Sequence, residues 1–575
     1  MIIEGIDKKI VAAEIKTYFD DWKIARSAKE VIWQDCVNNY LTVIDESKYE
    51  NWPWRSKVCD TMSQETADTI ASALRNALFP LTEDYFTLKG IDKLGITYAE
   101  KMTEYVKSKL KEAKFQEKMR VFLKQFAVLG NSVVLIPWVK NTINKKKRVS
   151  ENGKVFVKTV KKSTYDNFDV EILDMLDVVF DPNKAYTNKS MCIYRAYKSL
   201  TELKSNKNYD AEGIEFLESG YAEYKQKTDS VVDKSKRSEA FGLAYDPSTE
   251  DIELLVSYGD YEYDGVVYED YMAVVGNGSI LLRFEPNPYW GGKPVLLGTY
   301  DPMWFSSYGR GPLEPILGVQ ELINTFTNQK ADILNLIIMG SFAYVNDGII
   351  DPESLFLRPA GGIEVGDINN IKPLAPNGNV ALTYQEISML RERGERSSAA
   401  SNYEVGVPGG GRKTAFEASI LKQGSAGRFG DVVKHTGDGV IESMLEFIVE
   451  SLKQFKYGSG EIDDEALLGE YSVDYYGADT SIVRQTMLQS LLGFLDISAR
   501  MPEMQEAIDP LKLSSTLKRL LGLTEDITKT QEEIDAERQR KQSMEMALVQ
   551  AKQGGMGPGG PPGGMEGAIP EGMPL

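Results

Sequence analysis

The feature that most constrains this chain of 575 residues is a glycine-rich segment placed between two long stretches of helical periodicity. The segment spans residues 401–413 and ends in Gly406-Val407-Pro408-Gly409-Gly410-Gly411-Arg412-Lys413. A helix restarts directly after it, because Thr414 and Glu417 have the spacing of a capping box. Rigid helices on both sides can hold a flexible, cationic loop at a fixed position. We therefore expect the function of the loop to depend on where these helices place it.

The flanking helices are predicted from the spacing of apolar residues. One covers 311–340 and a second covers 377–400, and residues 341–376 between them have the apolar runs, Gly and Pro of short strands and turns. The helix after the loop extends from 414 to 456. Glycines in its first half each cost up to about 1 kcal/mol in a helix, so a kink or break is expected there.

The remainder of the chain predicts an α+β protein. Helical periodicity covers 8–45, 61–79, 97–129 and about 480–550, whereas 165–300 is mostly strand-like with polar turns. From Gly554 the tail consists largely of Gly, Pro and Met, a composition that cannot bury enough apolar surface to order itself.

A basic hairpin is predicted over residues 140–162, with Asn152-Gly153 as its turn. The span contains nine Lys or Arg residues against one acid, Glu151. Two interpretations remain open at this point. The hairpin is a docking site for an acidic partner or nucleic acid, or it is an ordinary solvated hairpin, as most charged runs are.

Composition excludes several classes of function. His435 is the only histidine, and Cys36, Cys59 and Cys192 are widely spaced, so neither a metal cage nor a disulfide framework is expected. No apolar run is long enough for a membrane span, and no secretory signal is visible at the N-terminus. The formal charge of −19 lacks the cationic excess of a protein that grips nucleic acid.

The segment Gly406–Thr414 is close to a phosphate-binding P-loop but departs from it. In that motif Lys directly follows the last Gly, whereas here Arg412 intervenes before Lys413, and the preceding element is predicted to be a helix rather than a strand. We therefore favour a mobile loop that presents Arg412 and Lys413. The acidic run at 463–465 is interpreted as a solvated turn, because paired carboxylate catalysis requires apolar surroundings. No catalytic residue, cofactor or metal is predicted.

Several local strings, in this order along the chain, resemble the podovirus-type bacteriophage portal proteins, also called head-to-tail connectors. The strings are Trp54-Arg55-Ser56-Lys57 with Leu78-Phe79-Pro80, Gly130-Asn131-Ser132-Val133, Asn287-Pro288-Tyr289-Trp290, Tyr308-Gly309-Arg310-Gly311-Pro312 and Lys413-Thr414-Ala415-Phe416-Glu417. The resemblance implies a mainly helical α+β portal architecture, with wing, stem, clip and crown, that assembles as a ring. It implies a wing at 1–310 and 414–480, stem helices at 311–340 and 377–400, a clip at 341–376, a tunnel loop at 401–413, a crown at 481–550 and a disordered tail at 551–575.

The same resemblance implies function and partners. A ring of twelve copies would lie at one vertex of the capsid in the virion, after assembly in the host cytoplasm, as a non-enzymatic channel for packaging, retaining and ejecting viral double-stranded DNA. Its partners would be the terminase large subunit, the head–tail adaptor and the major capsid and scaffolding proteins, with no membrane. The DNA-facing tunnel-loop residues would be Gly406, Gly409, Gly410, Gly411, Arg412 and Lys413.

The subunit contact is predicted on the first stem helix. Residues 331–340 are too apolar for a helix that faces solvent, and Ile333, Leu336 and Ile337 are the contact residues we expect. Two alternatives stay open: a nucleotide-binding enzyme that uses the Gly406–Thr414 loop, and another virion structural protein without a channel.

Overall fold

The computed structural model describes most of the first 480 residues. The described residues are 7–51, 54–79, 85–151, 154–219, 251–339, 341–344, 371–374, 380–398 and 429–476, with the single residues 235, 238, 367, 491 and 495. The chain divides into two compact units, Met1–Thr480 and Ser481–Leu575. In the second unit the described residues Leu491 and Leu495 are helical, and the rest of the predicted crown and tail lies outside the described residues.

The first unit mixes helix and sheet, which confirms the α+β prediction. Its helices are α1 (Lys8–Ala25), α2 (Ser27–Tyr40), α3 (Met62–Leu78), α4 (Lys93–Glu112), α5 (Phe115–Leu129), α6 (Leu200–Ser205), α7 (Ala211–Ser219), α8 (Leu317–Met339), α9 (Val380–Ser398), α10 (Glu442–Lys456) and α11 (Asp464–Leu468).

The described strands lie in groups between these helices along the chain. They are β1 (Phe86–Gly90), β2 (Asn131–Leu135), β3 (Trp138–Glu151), β4 (Lys154–Phe168), β5 (Glu171–Leu173), β6 (Val178–Phe180), β7 (Cys192–Ser199), β8 (Asp251–Tyr263), β9 (Val266–Gly276), β10 (Ile280–Pro286), β11 (Val295–Thr299), β12 (Ser341–Tyr344), β13 (Ile371–Leu374) and β14 (Tyr471–Tyr475).

The largest sheet is antiparallel, has the order β10-β9-β8-β7-β6 and separates two cores. Alternate residues of a strand lie on opposite faces, so neighbours such as Val274 and Val275 are buried in different cores. α1 covers one face with Val11, Ile15 and Phe19. The other face belongs to the main core, to which α3, α4, α5 and α10 contribute.

Two predicted long helices are each divided in two. The segment 8–45 breaks at Arg26, whose side chain is buried and pairs with Glu30 at 2.7 Å. Its guanidinium also donates to the carbonyl of Leu176 at 3.2 Å and to the hydroxyl of Tyr308 at 3.1 Å. The segment 97–129 breaks at Lys114, whose φ of 52° is left-handed. Neither residue is a helix breaker by type, so apolar spacing alone could not locate these corners.

The helix after the glycine-rich loop is described from residue 429. Residues 429–434 are α-helical, His435–Ile441 form a π-helical stretch, and α10 follows. The π-helical stretch contains Gly437 and Gly439, which agrees with the predicted irregularity in this half of the helix. It also places His435 in a helical segment, as predicted.

Two glycines bring strand β2 against the segment that leads into α8. Gly130 ends α5 with a φ of 70°, and a Cβ built on it would lie 2.2 Å from the Cα of Gly311. The buried Asn131 side chain fixes the same contact, because its Oδ1 accepts from Gly309 N at 2.8 Å and its Nδ2 donates to Gly309 O at 3.1 Å. The entry to α8 is therefore fastened to the main core.

This contact predicts a large effect of Gly130→Ala. The substitution combines left-handed strain with a backbone clash, so we expect the free energy of unfolding to fall by at least about 3 kcal/mol in chemical denaturation. Gly292→Ala is the matched control, because Gly292 has a φ of 90° and open space around it. It should cost only about 1 kcal/mol. Equal losses in the two variants would show that the Gly130–Gly311 approach is not tight.

Candidate assembly site on a braced helix pair

Helices α8 and α9, here called the helix pair, are connected through a small antiparallel sheet. Strand β12 follows α8 after one residue, strand β13 precedes α9, and the two strands pair from Ser341 with Leu374 to Tyr344 with Ile371. The chain therefore leaves along one helix and returns along the other. Residues 345–366 and 368–370, within the predicted clip, lie outside the described residues.

The two helices contact one another and the first helical layer. The Lys330 ammonium of α8 lies 4.1 Å from the centroid of the Tyr384 ring on α9, a cation–π contact between the helices. Gly394 of α9 lies against Met62 at the start of α3, and a Cβ at Gly394 would fall 1.7 Å from the Met62 Cε atom. A larger residue at position 394 would therefore require the Met62 side chain to move.

A ladder of side-chain hydrogen bonds fastens α8 to an extended segment, residues 54–60, here called the strap. Asp332 Oδ1 accepts from Ser56 N at 2.6 Å, and Asn324 Oδ1 accepts from Asp60 N at 2.8 Å. Between them, Asn328 accepts from Val58 N at 2.7 Å and donates to Val58 O at 3.0 Å. One turn earlier, the buried Gln320 accepts from Ser63 N at 3.0 Å and donates to Asp60 O.

The spacing of this ladder follows from the two backbone geometries. The helix residues lie four apart, which is a rise of about 6.0 Å along α8. The strap residues lie two apart, which is about 6.6 Å along an extended chain. Because these repeats nearly coincide, three successive side chains of one helix stripe reach three alternate backbone amides of the strap.

The strap also reaches the second helix. The Asp60 carboxylate forms an ion pair with Arg391 of α9 at 2.6 Å, and this pair raises the pKa of Arg391. The same carboxylate accepts from Met62 N at 3.0 Å, which ties the pair to the start of α3. One segment therefore sets the positions of both helices against the main core.

Several apolar side chains of the helix pair are exposed in the protomer. Ile333 and Leu336 are half-buried and Ile337 is 52% exposed. On α9, Tyr384 and Met389 are exposed. A polar stripe therefore fastens α8 to its own protomer, while predicted contact residues of the same helix remain available to another surface.

The structure brings only part of the predicted site together. Ile333, Leu336 and Ile337 lie on one helix, whereas the loop residues Gly406, Gly409, Gly410, Gly411, Arg412 and Lys413 lie outside the described residues. Sequence reasoning missed the ladder residues. Their signal was present as Gln320, Asn324, Asn328 and Asp332, which are polar residues repeated at every fourth position along α8.

The predicted basic hairpin is confirmed as strands β3 and β4, here called the ribbon. Its base is packed on α10: the Trp138 ring stacks on Phe455 at a centroid distance of 4.7 Å and donates to Asp166 at 3.1 Å. Beside it the buried Lys456 ammonium lies 2.6 Å from the Glu461 carboxylate. Burial opposes ionisation of Glu461, but hydrogen bonds from Lys109, Lys456 and Tyr105 prevail and lower its pKa to about 2.

The acidic run and the cysteines considered in the sequence analysis make contacts within the fold. The acidic run at 463–465 begins α11 rather than forming only a turn, with Asp463 paired to Lys101 and Glu465 accepting from Tyr98 at 2.6 Å. Cys36 and Cys192 are buried free thiols, whereas Cys59 is half-buried beside Asn324. Among the described residues, no group of acids, His and Cys is arranged to hold a metal, and no helix is long and apolar enough to cross a membrane.

Comparison with known proteins gives one family. The model of the family described as Phage SU10 portal protein matches residues 151–462, more than half of the chain. The matched span contains both helices of the pair and the ladder residues on α8, but not the strap. No curated protein matches the chain.

The ladder predicts a specific effect of Asn328→Ala. The substitution leaves the N–H and C=O of Val58 without their partner, at about 1 kcal/mol for each hydrogen bond. We expect amide hydrogen exchange across the strap to accelerate by about tenfold or more. Gln329→Ala, at an exposed neighbour on the same helix, is the control. Unchanged strap exchange in Asn328→Ala would contradict the bracing role of the ladder.

Proposed function

The chain belongs to the phage SU10 portal protein family, and we propose that its copies close into a ring of twelve with an axial channel for viral double-stranded DNA. Membership in this family makes the protein a structural component of a phage virion. The observation that carries the proposal is the braced helix pair, which presents exposed apolar side chains from a helix that is fixed to its own protomer.

The helix pair has the properties required of subunit contacts around a channel. A heterologous contact repeated between identical copies forms a ring when the rotation closes. Burial of apolar side chains such as Ile337 against a neighbour would stabilise that contact at about 25 cal/mol per Å². We propose α8 and α9 as the core of the stem at 311–340 and 377–400, with Ile333, Leu336 and Ile337 in the subunit contact.

The remaining assignments follow the order of elements along the chain. We propose that 341–376 is a clip that meets the terminase large subunit during packaging and the head–tail adaptor later. The wing at 1–310 and 414–480, with the crown at 481–550, would face the major capsid and scaffolding proteins. The ring would assemble in the host cytoplasm and occupy one vertex of the capsid.

The loop at 401–413 is proposed as the tunnel loop. Arg412 and Lys413 can contact phosphates without reading bases, which suits a conduit that must accept any sequence. The formal charge of −19 is compatible with this role, because an acidic wall forms few persistent salt bridges with passing DNA. Packaging, retention and ejection would therefore involve sequence-independent contacts.

Assembly is tested by Ile337→Glu. We expect the unmodified protein to form large rings with an axial hole in negative-stain images and mass photometry. Ile337 is exposed in the protomer, so the variant should fold, but a carboxylate buried between copies would reduce the assembled fraction by more than about tenfold. Val121→Glu is the control, because Val121 of α5 is 58% exposed outside the helix pair.

Two results would count against the ring proposal. The first is an unmodified protein that stays monomeric at micromolar concentration under all conditions. The second is a ring without an axial hole, which would favour a virion structural protein without a channel. Rings of Ile337→Glu in unchanged amount would reject Ile337 as a contact residue while leaving the ring itself intact.

The loop is tested by deleting Gly406–Gly411. Because these residues lie between predicted helices and outside the proposed contacts, ring assembly should be retained. We expect the DNA content of capsids built with the variant to fall, since the loop can no longer reach the DNA. A control deletion of equal length in the Gly-rich tail, 556–561, should leave DNA content unchanged. Normal packaging and retention by the loop variant would remove the loop from the mechanism.

A further inference from the structure

The ribbon is a strongly positive element on an acidic chain. Nine basic residues against one acid give residues 140–162 a formal charge of +8, which leaves −27 for the rest of a chain whose total is −19. The ribbon pairs from Trp138 with Phe168 to Glu151 with Lys154, and its two strands form a sheet of their own. Beyond the irregularity at Asn141 it has about ten residues in each strand, a length of roughly 33 Å.

The ribbon's register places like charges together. Lys147 lies directly opposite Lys158 in the register, with Lys145 two positions before Lys147 and Lys162 four positions after Lys158. Like charges opposite one another destabilise an antiparallel pair, and a two-stranded sheet is itself only marginally stable in water. An anionic partner along the ribbon would relieve this repulsion and stabilise the two strands.

The base of the ribbon is held by ring packing, hydrogen bonds and an ion pair, which suits a docking element. Trp138 is held by Phe455 and Asp166, and its backbone N–H donates to the hydroxyl of Tyr289 at 3.2 Å. The ion pair between Lys456 and Glu461 lies at the same end of the ribbon. The base of the ribbon is therefore fastened to α10.

A complementary acidic face is present on the same helical segment. Glu442 and Glu446 lie one turn apart on α10, with Asp438 and Asp474 close by. Burial and then the neighbouring carboxylates raise the pKa of Glu442. Within the described part of the chain, Asp438, Glu442 and Glu446 form no ion pair, whereas Asp474 pairs with Lys89. This face, like the ribbon, would be stabilised by opposite charge.

We propose that the ribbon of one subunit docks on the acidic face formed by Asp438, Glu442 and Glu446 of a second copy of this chain. The inference rests on the proposed ring, in which each subunit meets a neighbour in the same orientation. Charge complementarity favours a second copy over DNA, because one chain carries both surfaces and the assembly would supply the acidic face at high local concentration. The contact would add to the apolar one at the helix pair.

The test uses charge reversal in full-length protein. The ribbon variant is K145E/K147E/K158E, in which the opposed pair 147 and 158 remains a like-charge pair, so the ribbon's own stability is preserved. The face variant is E442K/E446K, which likewise keeps a like-charge pair. At low salt, we expect each variant alone to lose assembled particles by at least about tenfold in mass photometry. E100K/E104K is the control, because Glu100 and Glu104 are exposed and equally spaced on α4.

The decisive measurement is a mixture of the two variants. In an alternating ring, each reversed ribbon would meet a reversed face and each native ribbon a native face. Assembly of the equimolar mixture should therefore recover to within about twofold of the unmodified protein, and the recovery should weaken as salt is added. Recovery in a single chain carrying all five substitutions, without recovery of the mixture, would place the contact within one protomer and overturn the proposal.

Two further outcomes also overturn it. If the unmodified protein forms rings and both variants assemble equally well, this inference fails while the proposed function stands. If assembly is unchanged and the ribbon variant alone loses retention of a 30-bp duplex in a gel-shift assay, the partner is nucleic acid. An unmodified protein that forms no ring would remove the proposed function and this inference together.

Discussion

The position of the helix pair depends on a match between the repeat distance of a helix and that of an extended chain. Four residues of a helix and two residues of an extended chain advance by nearly the same distance, about 6.0 and 6.6 Å. Asn324, Asn328 and Asp332 use this match to bind alternate backbone amides of the strap. The ladder needs no buried apolar surface. It therefore fixes α8 in position while leaving Ile333, Leu336 and Ile337 at least partly exposed.

The hydrogen bonds of the ladder explain how α8 can be held in place although several of its apolar side chains are exposed to water. A helix as apolar as α8 would normally be held by packing its apolar stripe into the core. Here Ile323 is fully buried, while Ile333 and Leu336 remain half-exposed and Ile337 is more than half exposed. The remaining apolar surface lowers the stability of the protomer in water and favours association, so the same residues that cost stability alone would stabilise the assembly.

The sequence predicted the helices and the ribbon better than the helix breaks and the ladder of hydrogen bonds. Helical periodicity correctly located α8, α9 and α3, and the Asn-Gly turn located the ribbon, because these signals are local. The corners at Arg26 and Lys114 were missed, because Arg26 is buried through contacts with residues some 150 positions away or more. The ladder was missed for the same reason: its helix stripe is visible in the sequence, but its partner lies over 260 residues earlier.

In the proposed ring, the brace would have to fix the angle between neighbouring copies. A closed ring of twelve identical contacts turns about 30° at each one, and a ring of thirteen turns about 28°, so a specified subunit number requires the contact angle to be fixed within about two degrees. Apolar contact alone is poorly directional. The strap is fastened to α8 by the ladder and to α9 through Asp60 and Arg391, so in the proposed ring it would supply this direction from within the protomer. Association strength and ring geometry would then be set by different residues of the same helix.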